Sequence, residues 1–216
     1  MSNDPHRDGL VQSFGASLKE AAGVVILLHG RGGSADDILS LAQEFYLPGL
    51  AYLAPQASGN SWYPYSFLAP TTQNEPWLSS ALRKVQTTVQ IATDAGIAPE
   101  RIVIGGFSQG ACLATEFVAT HPQRYAGLLA FTGGLIGAPD ADLTHEGNLA
   151  ETPVFFGSGD PDPHVPWQRV QQSAKVLAEM DATVTLRRYA GRPHTITAEE
   201  LDFARQLIRD QFTSSD

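Results

Sequence analysis

Short apolar runs alternate with longer amphipathic segments along most of the chain. The runs are rich in β-branched residues and stay apolar at successive positions, which is typical of strands buried on both faces of a sheet. They predict strands at 10–14, 23–28, 50–54, 102–104, 125–131, 153–156 and 184–189. The segments between them place apolar residues at helical spacing and predict helices at 35–45, 78–95, 111–119, 167–180 and 198–212.

This alternation of strands and helices indicates the fold class. Strands that alternate with helices form parallel sheets joined by right-handed crossovers. We therefore expect an α/β fold, a doubly wound and mostly parallel sheet with helices on both faces. A chain of 216 residues fits a single domain, 1–216, and the polar residues 1–9 are expected to form a loose N-terminal segment. Ligand sites in such sheets lie beyond the carboxyl ends of the strands.

One strand-to-helix junction has the pattern of a catalytic turn. Residues Gly106 to Gly110, Gly-Phe-Ser-Gln-Gly, fit G-x-S-x-G directly after the strand at 102–104. So sharp a bend requires small neighbours around its apex, where Ser108 stands. The N-terminus of the following helix favours a developing negative charge. A glycine-rich turn with a capping serine has the same local pattern, so the nucleophile hypothesis depends on a base and an acid elsewhere.

Candidates for both lie after later strands. Of the six histidines, His194 is best placed to reach Ser108, because it follows the last strand and precedes the last helix. Asp160 and Asp162 follow the strand at 153–156, and for either the alternative is a solvated acidic turn. The order Ser, Asp, His is that of nucleophile-elbow hydrolases. The other histidines suit structural roles, in the loose N-terminus, the first loop, a helix cap and later loops: His6, His29, His121, His145 and His164.

An oxyanion hole completes the expected chemistry. Its donors are predicted to be the backbone N–H of Gln109, which follows the nucleophile, and that of Arg31, in the glycine-rich turn after the first core strand. Losing one such donor costs roughly 3 kcal/mol of transition-state stabilisation. The turn does not have the spacing of a phosphate-binding P-loop.

Residues 56–77 combine aromatic residues with prolines and predict a long irregular loop. We expect this loop to cover the acyl side of the site, with Trp62, Tyr65, Phe67 and Trp77 as candidate substrate contacts. The alternative for each is a hydrophobic cover over the sheet edge. Cys112, one helical turn past Ser108, is expected to be a small core residue and not a second nucleophile.

Composition limits the partners. The formal net charge is −9 and the pI about 5.0, which disfavours nucleic acid and tight membrane docking. A single cysteine allows no intramolecular disulfide. The chain shows neither a signal-like leader nor an apolar run long enough to span a bilayer, so we expect a cytoplasmic protein without stable membrane insertion. No metal or organic cofactor is implied.

Four segments together resemble a known family. They are Leu28-His29-Gly30, Gly105 to Gly110, Gly159 to Pro166 and Gly191 to His194. In this order they resemble the phospholipase/carboxylesterase family of small α/β-hydrolases, which includes acyl-protein thioesterases and bacterial carboxylesterases. The resemblance implies an α/β-hydrolase fold without a large cap domain. In the family, the aspartate of D-P-x-V-P is the catalytic acid, which here selects Asp162 and leaves Asp160 to support the loop.

Two departures from the family bear on substrate. Arg31 stands where thioesterase members tend to have an apolar residue, and Arg192-Pro193 replaces a glycine-rich turn. Both disfavour a long acyl chain, although Arg31 could also point into solvent or pair with Asp36. We expect a serine carboxylesterase that cleaves short-chain or aryl esters through an acyl-enzyme. The alternatives are acyl-protein thioesterase or lysophospholipase activity, and, from another class, a catalytically silent binding or scaffold domain. The expected partner is a small-molecule ester, and either a monomer or a homodimer is compatible with the sequence.

Overall fold

The computed structural model describes residues 4–213, which form one seven-stranded sheet flanked by five helices. The strands are β1 Val11–Gly15, β2 Gly23–Leu28, β3 Leu50–Pro55, β4 Ile102–Phe107, β5 Gly127–Phe131, β6 Pro153–Asp160 and β7 Thr183–Ala190. The helices are α1 Ala35–Ala42, α2 Trp77–Asp94, α3 Gln109–Thr120, α4 Trp167–Glu179 and α5 Ala198–Thr213. The strand order is β1-β3-β2-β4-β5-β6-β7. Only β1 runs antiparallel to its neighbour, so the predicted mostly parallel α/β sheet is confirmed.

Two apolar layers cover the sheet. Helices α1 and α5 pack on one face, and α2, α3 and α4 pack on the other. The central strands β2, β3 and β5 are buried at every position, which explains why their sequences show continuous apolar runs and no alternation. Within residues 4–213, no helix is both long and apolar enough to cross a membrane.

Strand β6 is longer than its sequence predicts. The apolar pattern ends at Phe156, but the strand continues to Asp160, paired in parallel with β7. Its extra residues include Gly157 and Gly159, which resemble a loop in sequence. Both glycines pair within the sheet, with Arg187 and Tyr189 of β7. The Glu200 side chain of α5 lies against Gly157, and Arg192 of the loop after β7 lies against Gly159.

The prediction of a loose N-terminus is wrong for residues 4–9, while residues 1–3 lie outside the described part of the chain. His6 is completely buried, with its ring 5.5 Å from the ring of Trp62 and 5.5 Å from that of Trp77. Its Nδ1 accepts the Ser58 N–H at 3.0 Å, and its Nε2 donates to the Trp62 carbonyl at 2.8 Å. The segment is ordered because one imidazole fills a gap between two indoles and meets both of its hydrogen-bonding needs.

Candidate active site

Ser108 stands at the apex of the turn between β4 and α3. Its backbone has φ 54° and ψ −118°, a conformation that side-chain-bearing residues rarely adopt. Two glycines make the turn possible. A Cβ at Gly106 would lie 2.6 Å from the Leu28 carbonyl oxygen, and one at Gly110 would lie 2.1 Å from the same atom. The G-x-S-x-G spacing therefore reflects close contact between this turn and the end of β2.

The structure brings together the three side chains predicted as a triad. His194 Nε2 lies 2.8 Å from Ser108 Oγ, and His194 Nδ1 lies 2.8 Å from Asp162 Oδ2. The other carboxylate oxygen accepts the N–H groups of His164 and Val165, both at 2.9 Å. Burial alone would raise the pKa of Asp162, but these hydrogen bonds outweigh it and hold the pKa below its ordinary value.

An ionised Asp162 fixes the protons of the site. A carboxylate can only accept hydrogen bonds, so Nδ1 of His194 carries the ring proton. Nε2 is then left with a lone pair facing the Ser108 hydroxyl. This is the arrangement in which an imidazole can take a proton from the serine.

The neighbouring Asp160 has a different role. Its carboxylate pairs with the Arg188 guanidinium, and its carbonyl accepts the Gly191 N–H at 2.9 Å. Asp160 thus ties the end of β6 to β7 and to the start of the His194 loop. The choice of Asp162 over Asp160, which rested on the resemblance alone, agrees with these contacts.

Arg31 and Gln109, whose backbone N–H groups are the predicted oxyanion donors, both line the cleft beside Ser108. Gln109 is the first residue of α3, so its N–H has no acceptor within the helix. In the loop after β2, the Gly32 N–H donates to the Asn60 carbonyl at 2.7 Å and the Gly33 N–H donates to the Gly30 carbonyl at 3.1 Å. Arg31 N–H takes no acceptor among the described residues, which leaves it able to bind an oxygen on a reacting carbonyl.

His29 holds this loop, as its position in the sequence suggested. Its Nε2 accepts the Ala57 N–H at 3.2 Å, its Nδ1 donates to the Gly30 carbonyl at 2.8 Å, and its ring lies 5.0 Å from the Trp62 ring. Burial lowers the pKa of His29 below its ordinary value. The neutral form is therefore the one built into the fold.

The Arg31 side chain ties the aromatic loop to the site. Its guanidinium donates to Ser61 Oγ and the Pro64 carbonyl, both at 3.0 Å, and to the Tyr65 carbonyl at 2.6 Å. It is therefore engaged with the loop, and the pairing with Asp36 considered from the sequence is not made. No sequence pattern indicates these contacts, because their acceptors are mainly backbone carbonyls more than thirty residues away.

The side chain of Gln109 also holds the aromatic loop in place. Its Oε1 accepts the Trp62 N–H at 2.9 Å, and its Nε2 donates to the Tyr63 carbonyl at 2.8 Å. Gln109 thus contributes a backbone amide to the cleft and a buried clamp to the cleft wall.

The cleft has a volume of about 570 Å³ and opens at Ser108. Of the four predicted substrate contacts, Tyr65 and Phe67 line it, whereas Trp62 and Trp77 do not. Trp62 is fully buried and its Nε1 donates to the His29 carbonyl at 2.9 Å. Trp77 packs edge-on against His6. The substrate contacts expected of these two tryptophans are thus corrected: both rings pack around His6, away from the cleft.

Other lining residues were not predicted to be site residues. Among them are Tyr63, Phe107, Cys112, His164 and Val165. Each lies within four positions of a predicted site residue in the chain, which is the only signal that could have found them. Cys112 is buried, as expected, and burial raises the pKa of its thiol to about 12, which keeps the thiol protonated and disfavours a role as nucleophile. Within residues 4–213 no cluster of His, Cys, Asp or Glu could hold a metal ion.

The chain is similar to known proteins in sequence and in structure. A family model described as phospholipase/carboxylesterase matches residues 14–211. The chain is 28% identical over 213 residues to acyl-protein thioesterase 1 of Kluyveromyces lactis, covering 89% of this chain and 93% of the relative. It is similar to the crystal structure of a phospholipase/carboxylesterase from Dyadobacter fermentans, with 46% identity, a TM-score of 0.90, and coverage of 93% of this chain and 96% of the other. A Bacillus cereus carboxylesterase, 21% identical, shares the fold with a TM-score of 0.76 over 95% of this chain and 96% of its own.

Proposed function

We infer the reaction from family and site together: the chain belongs to the phospholipase/carboxylesterase family of serine hydrolases, and its cleft is suited to small esters. We propose that it hydrolyses short-chain or aryl carboxylic esters through an acyl-enzyme on Ser108. The observation that carries the proposal is the unbroken hydrogen-bond relay from Asp162 through His194 to Ser108. The strained backbone conformation of Ser108 holds its hydroxyl at the end of this relay, beside His194.

In the first half of the reaction, Ser108 Oγ attacks the ester carbonyl while His194 Nε2 takes its proton. The carbonyl oxygen becomes an oxyanion, which the N–H groups of Arg31 and Gln109 bind. Asp162 stabilises the imidazolium through the Nδ1 hydrogen bond. The intermediate collapses when the ester C–O bond breaks, and the leaving alcohol takes the proton from His194.

In the second half, water repeats the sequence on the acyl-enzyme. His194 removes one proton from water, and the resulting hydroxide adds to the acyl carbonyl held by the same two amides. The C–O bond to Ser108 then breaks, His194 returns the proton to Ser108 Oγ, and a carboxylic acid leaves. The two halves together consume only one ester and one water molecule.

The cleft supports a small acyl group. Its volume of about 570 Å³ must hold the acyl and the alcohol parts of the ester together. The wall formed by Tyr63, Pro64 and Tyr65 is fixed by the Arg31 guanidinium and the Gln109 side chain, so widening the cleft would break several hydrogen bonds. Thioester cleavage needs the same relay, and the name of the Kluyveromyces lactis relative makes it the second candidate.

Two experiments test the proposal. Fluorophosphonate labelling should modify Ser108 in the wild-type protein, and Ser108→Ala should lower kcat on p-nitrophenyl acetate by roughly 10⁴-fold or more. A silent scaffold domain would neither label nor turn over. A series of p-nitrophenyl esters and matched acyl thioesters from acetyl to palmitoyl should give the highest kcat/KM at short ester chains. Preference for palmitoyl substrates or for thioesters would replace the proposed substrate class with the second candidate.

A further inference from the structure

We propose that Glu200 is a positioning residue, a buried carboxylate that fixes the His194 loop from both sides and so sets how well His194 serves Ser108. The inference rests on the proposed function, because it assigns His194 the role of base. Glu200 is completely buried near the start of α5. It does not line the cleft, so any effect on the reaction must pass through the loop.

One carboxylate oxygen holds both ends of the loop. Glu200 Oε2 accepts the Thr197 N–H at 2.9 Å and lies 3.0 Å from Thr197 Oγ1, three residues after His194. The same oxygen pairs with the guanidinium of Arg192, two residues before His194. His194 is therefore suspended between two residues that share a single buried anion.

The pair also ties the loop to the nucleophile's side of the sheet. The second terminal nitrogen of Arg192 donates to Thr132 Oγ1 at 2.7 Å, just past the end of β5. The residue before Thr132 is Phe131, whose carbonyl accepts the Ser108 N–H at 3.0 Å. A short chain of contacts thus runs from Glu200 to Ser108 without passing through the triad, and it fixes the separation of His194 and Ser108.

Strand β6 makes room for this pair. A Cβ at Gly157 would lie 2.3 Å from Glu200 Oε1, and one at Gly159 would lie 2.6 Å from the Arg192 carbonyl oxygen. The Arg192 side chain is only 6% exposed and that of Glu200 is not exposed at all. Two glycines in the interior of a strand are unfavourable for the strand itself, so their presence here has a packing reason.

Helix capping alone does not account for the arrangement. Thr197 and Glu200 have the spacing of a capping box, S/T-x-x-E, which by itself stabilises the start of α5. Such a cap needs no buried arginine. Arg192 lies on the other side of His194 from Thr197. Its charge-assisted hydrogen bond to Glu200 is stronger than a hydrogen bond between neutral groups.

The test compares Glu200→Gln with Glu199→Gln. Glu199 is the adjacent residue, but it is exposed and pairs with Arg187 at the surface. We expect Glu200→Gln to lower kcat on p-nitrophenyl acetate by about tenfold to a hundredfold, with KM within about twofold, because a displaced base costs rate and not binding. The fluorophosphonate labelling rate should fall in parallel. Glu199→Gln should stay within about twofold of wild type in all three measurements.

Spectroscopy separates positioning from a loss of fold. In the wild type and in Glu199→Gln, the Nδ1 proton shared by His194 and Asp162 should give a low-field NMR resonance, and in Glu200→Gln it should shift or broaden at a temperature where circular dichroism shows a folded protein. Should Glu200→Gln not fold, Arg192→Lys and Arg192→Met replace it, with the lysine variant keeping more activity. Wild-type rate and resonance in folded Glu200→Gln, or equal losses in the two Arg192 variants, would overturn the inference. Wild-type protein that does not label at Ser108 refutes the proposed function instead.

Discussion

The two sides of the site are held in place by different interactions. On the nucleophile side, glycines let backbones approach closely at the Ser108 turn, and hydrogen bonds between the side chains of His29, Gln109 and Arg31 and uncharged groups hold the loop after β2 and the cleft wall, with no carboxylate among these partners. On the histidine side, two ion pairs make the connections: Arg188 of β7 pairs with Asp160 at the end of β6, and Arg192 in the His194 loop pairs with Glu200 of α5.

This difference follows what each side must do. An oxyanion hole needs donors that stay in place, and backbone amides can be held by packing without any charge. In the proposed reaction the His194 imidazole, in contrast, gains and loses a proton in each half. Its partner Asp162 must stay ionised and correctly oriented throughout, which favours a side built with charges. The two sides should therefore respond differently to isosteric loss of charge and to added volume.

Removing charge should have its largest effect at Asp162. Asp162→Asn keeps the shape but removes the anion that fixes the His194 tautomer, so we expect kcat on p-nitrophenyl acetate to fall by roughly 10⁴-fold. The matched variant Asp160→Asn loses a half-exposed pair with Arg188 and should lose much less rate. Steady-state kinetics near pH 7.5 measure both, and equal losses would remove the distinction between the two aspartates.

Added volume should damage the nucleophile side. Gly110→Ala places a Cβ 2.1 Å from the Leu28 carbonyl, a contact with backbone that cannot move aside, so we expect a loss of more than about 3 kcal/mol in the free energy of unfolding. Gly96→Ala is the control, since it has φ 91° but no atom within 4 Å of the added carbon. It should cost about 1 kcal/mol. Urea unfolding measures both, and similar losses would mean that the backbone contact at Gly110 is not what matters.

Most of the fold and the three triad residues could be predicted from the sequence, because both depend on local patterns. A strand buried on both faces must be apolar along its length, as at Gly23–Leu28, and that run is visible in one sequence. Ser108, His194 and the two aspartates Asp160 and Asp162 all follow predicted strands, so the topology placed them at one edge of the sheet, and the family resemblance then selected Asp162. Strand β6 was underestimated because Gly157 and Gly159 make room for distant side chains, and sequence alone does not show which ones.

The supporting contacts were out of reach for the same reason. Trp62 and Tyr65 belong to one aromatic loop, and composition cannot tell that one ring faces the core and the other the cleft. His6 finds its acceptor at Trp62, 56 residues away. Glu200 is the exception, because the Thr197-x-x-Glu200 spacing is a readable helix-start signal. The ion pair of Glu200 with Arg192, in contrast, could not be predicted from the sequence.

Mildly acidic pH should destabilise the nucleophile side more than the histidine side, and this is the smallest of the predicted effects. His6 and His29 both belong to the nucleophile side, and each accepts a backbone N–H on one ring nitrogen while donating from the other. Burial lowers the pKa of both below the ordinary value of 6.5. Asp162, with its pKa held below 3.8, stays charged down to far lower pH.

The free energy of unfolding should fall as the pH falls, because the unfolded chain binds more protons than the folded chain. Above pH 6.5 both histidines are neutral whether the chain is folded or not, so they add no pH dependence. Below 6.5 the unfolded chain binds protons that the folded chain refuses, and stability falls by up to about 1.4 kcal/mol per pH unit for each histidine until its folded pKa is reached. Urea unfolding at pH 7.5, 6.5 and 5.5 measures the fall. His6→Asn should be less stable at pH 7.5 but lose less between 6.5 and 5.5, and a variant with the full wild-type slope would show that the neutral imidazole of His6 is not a support of the nucleophile side.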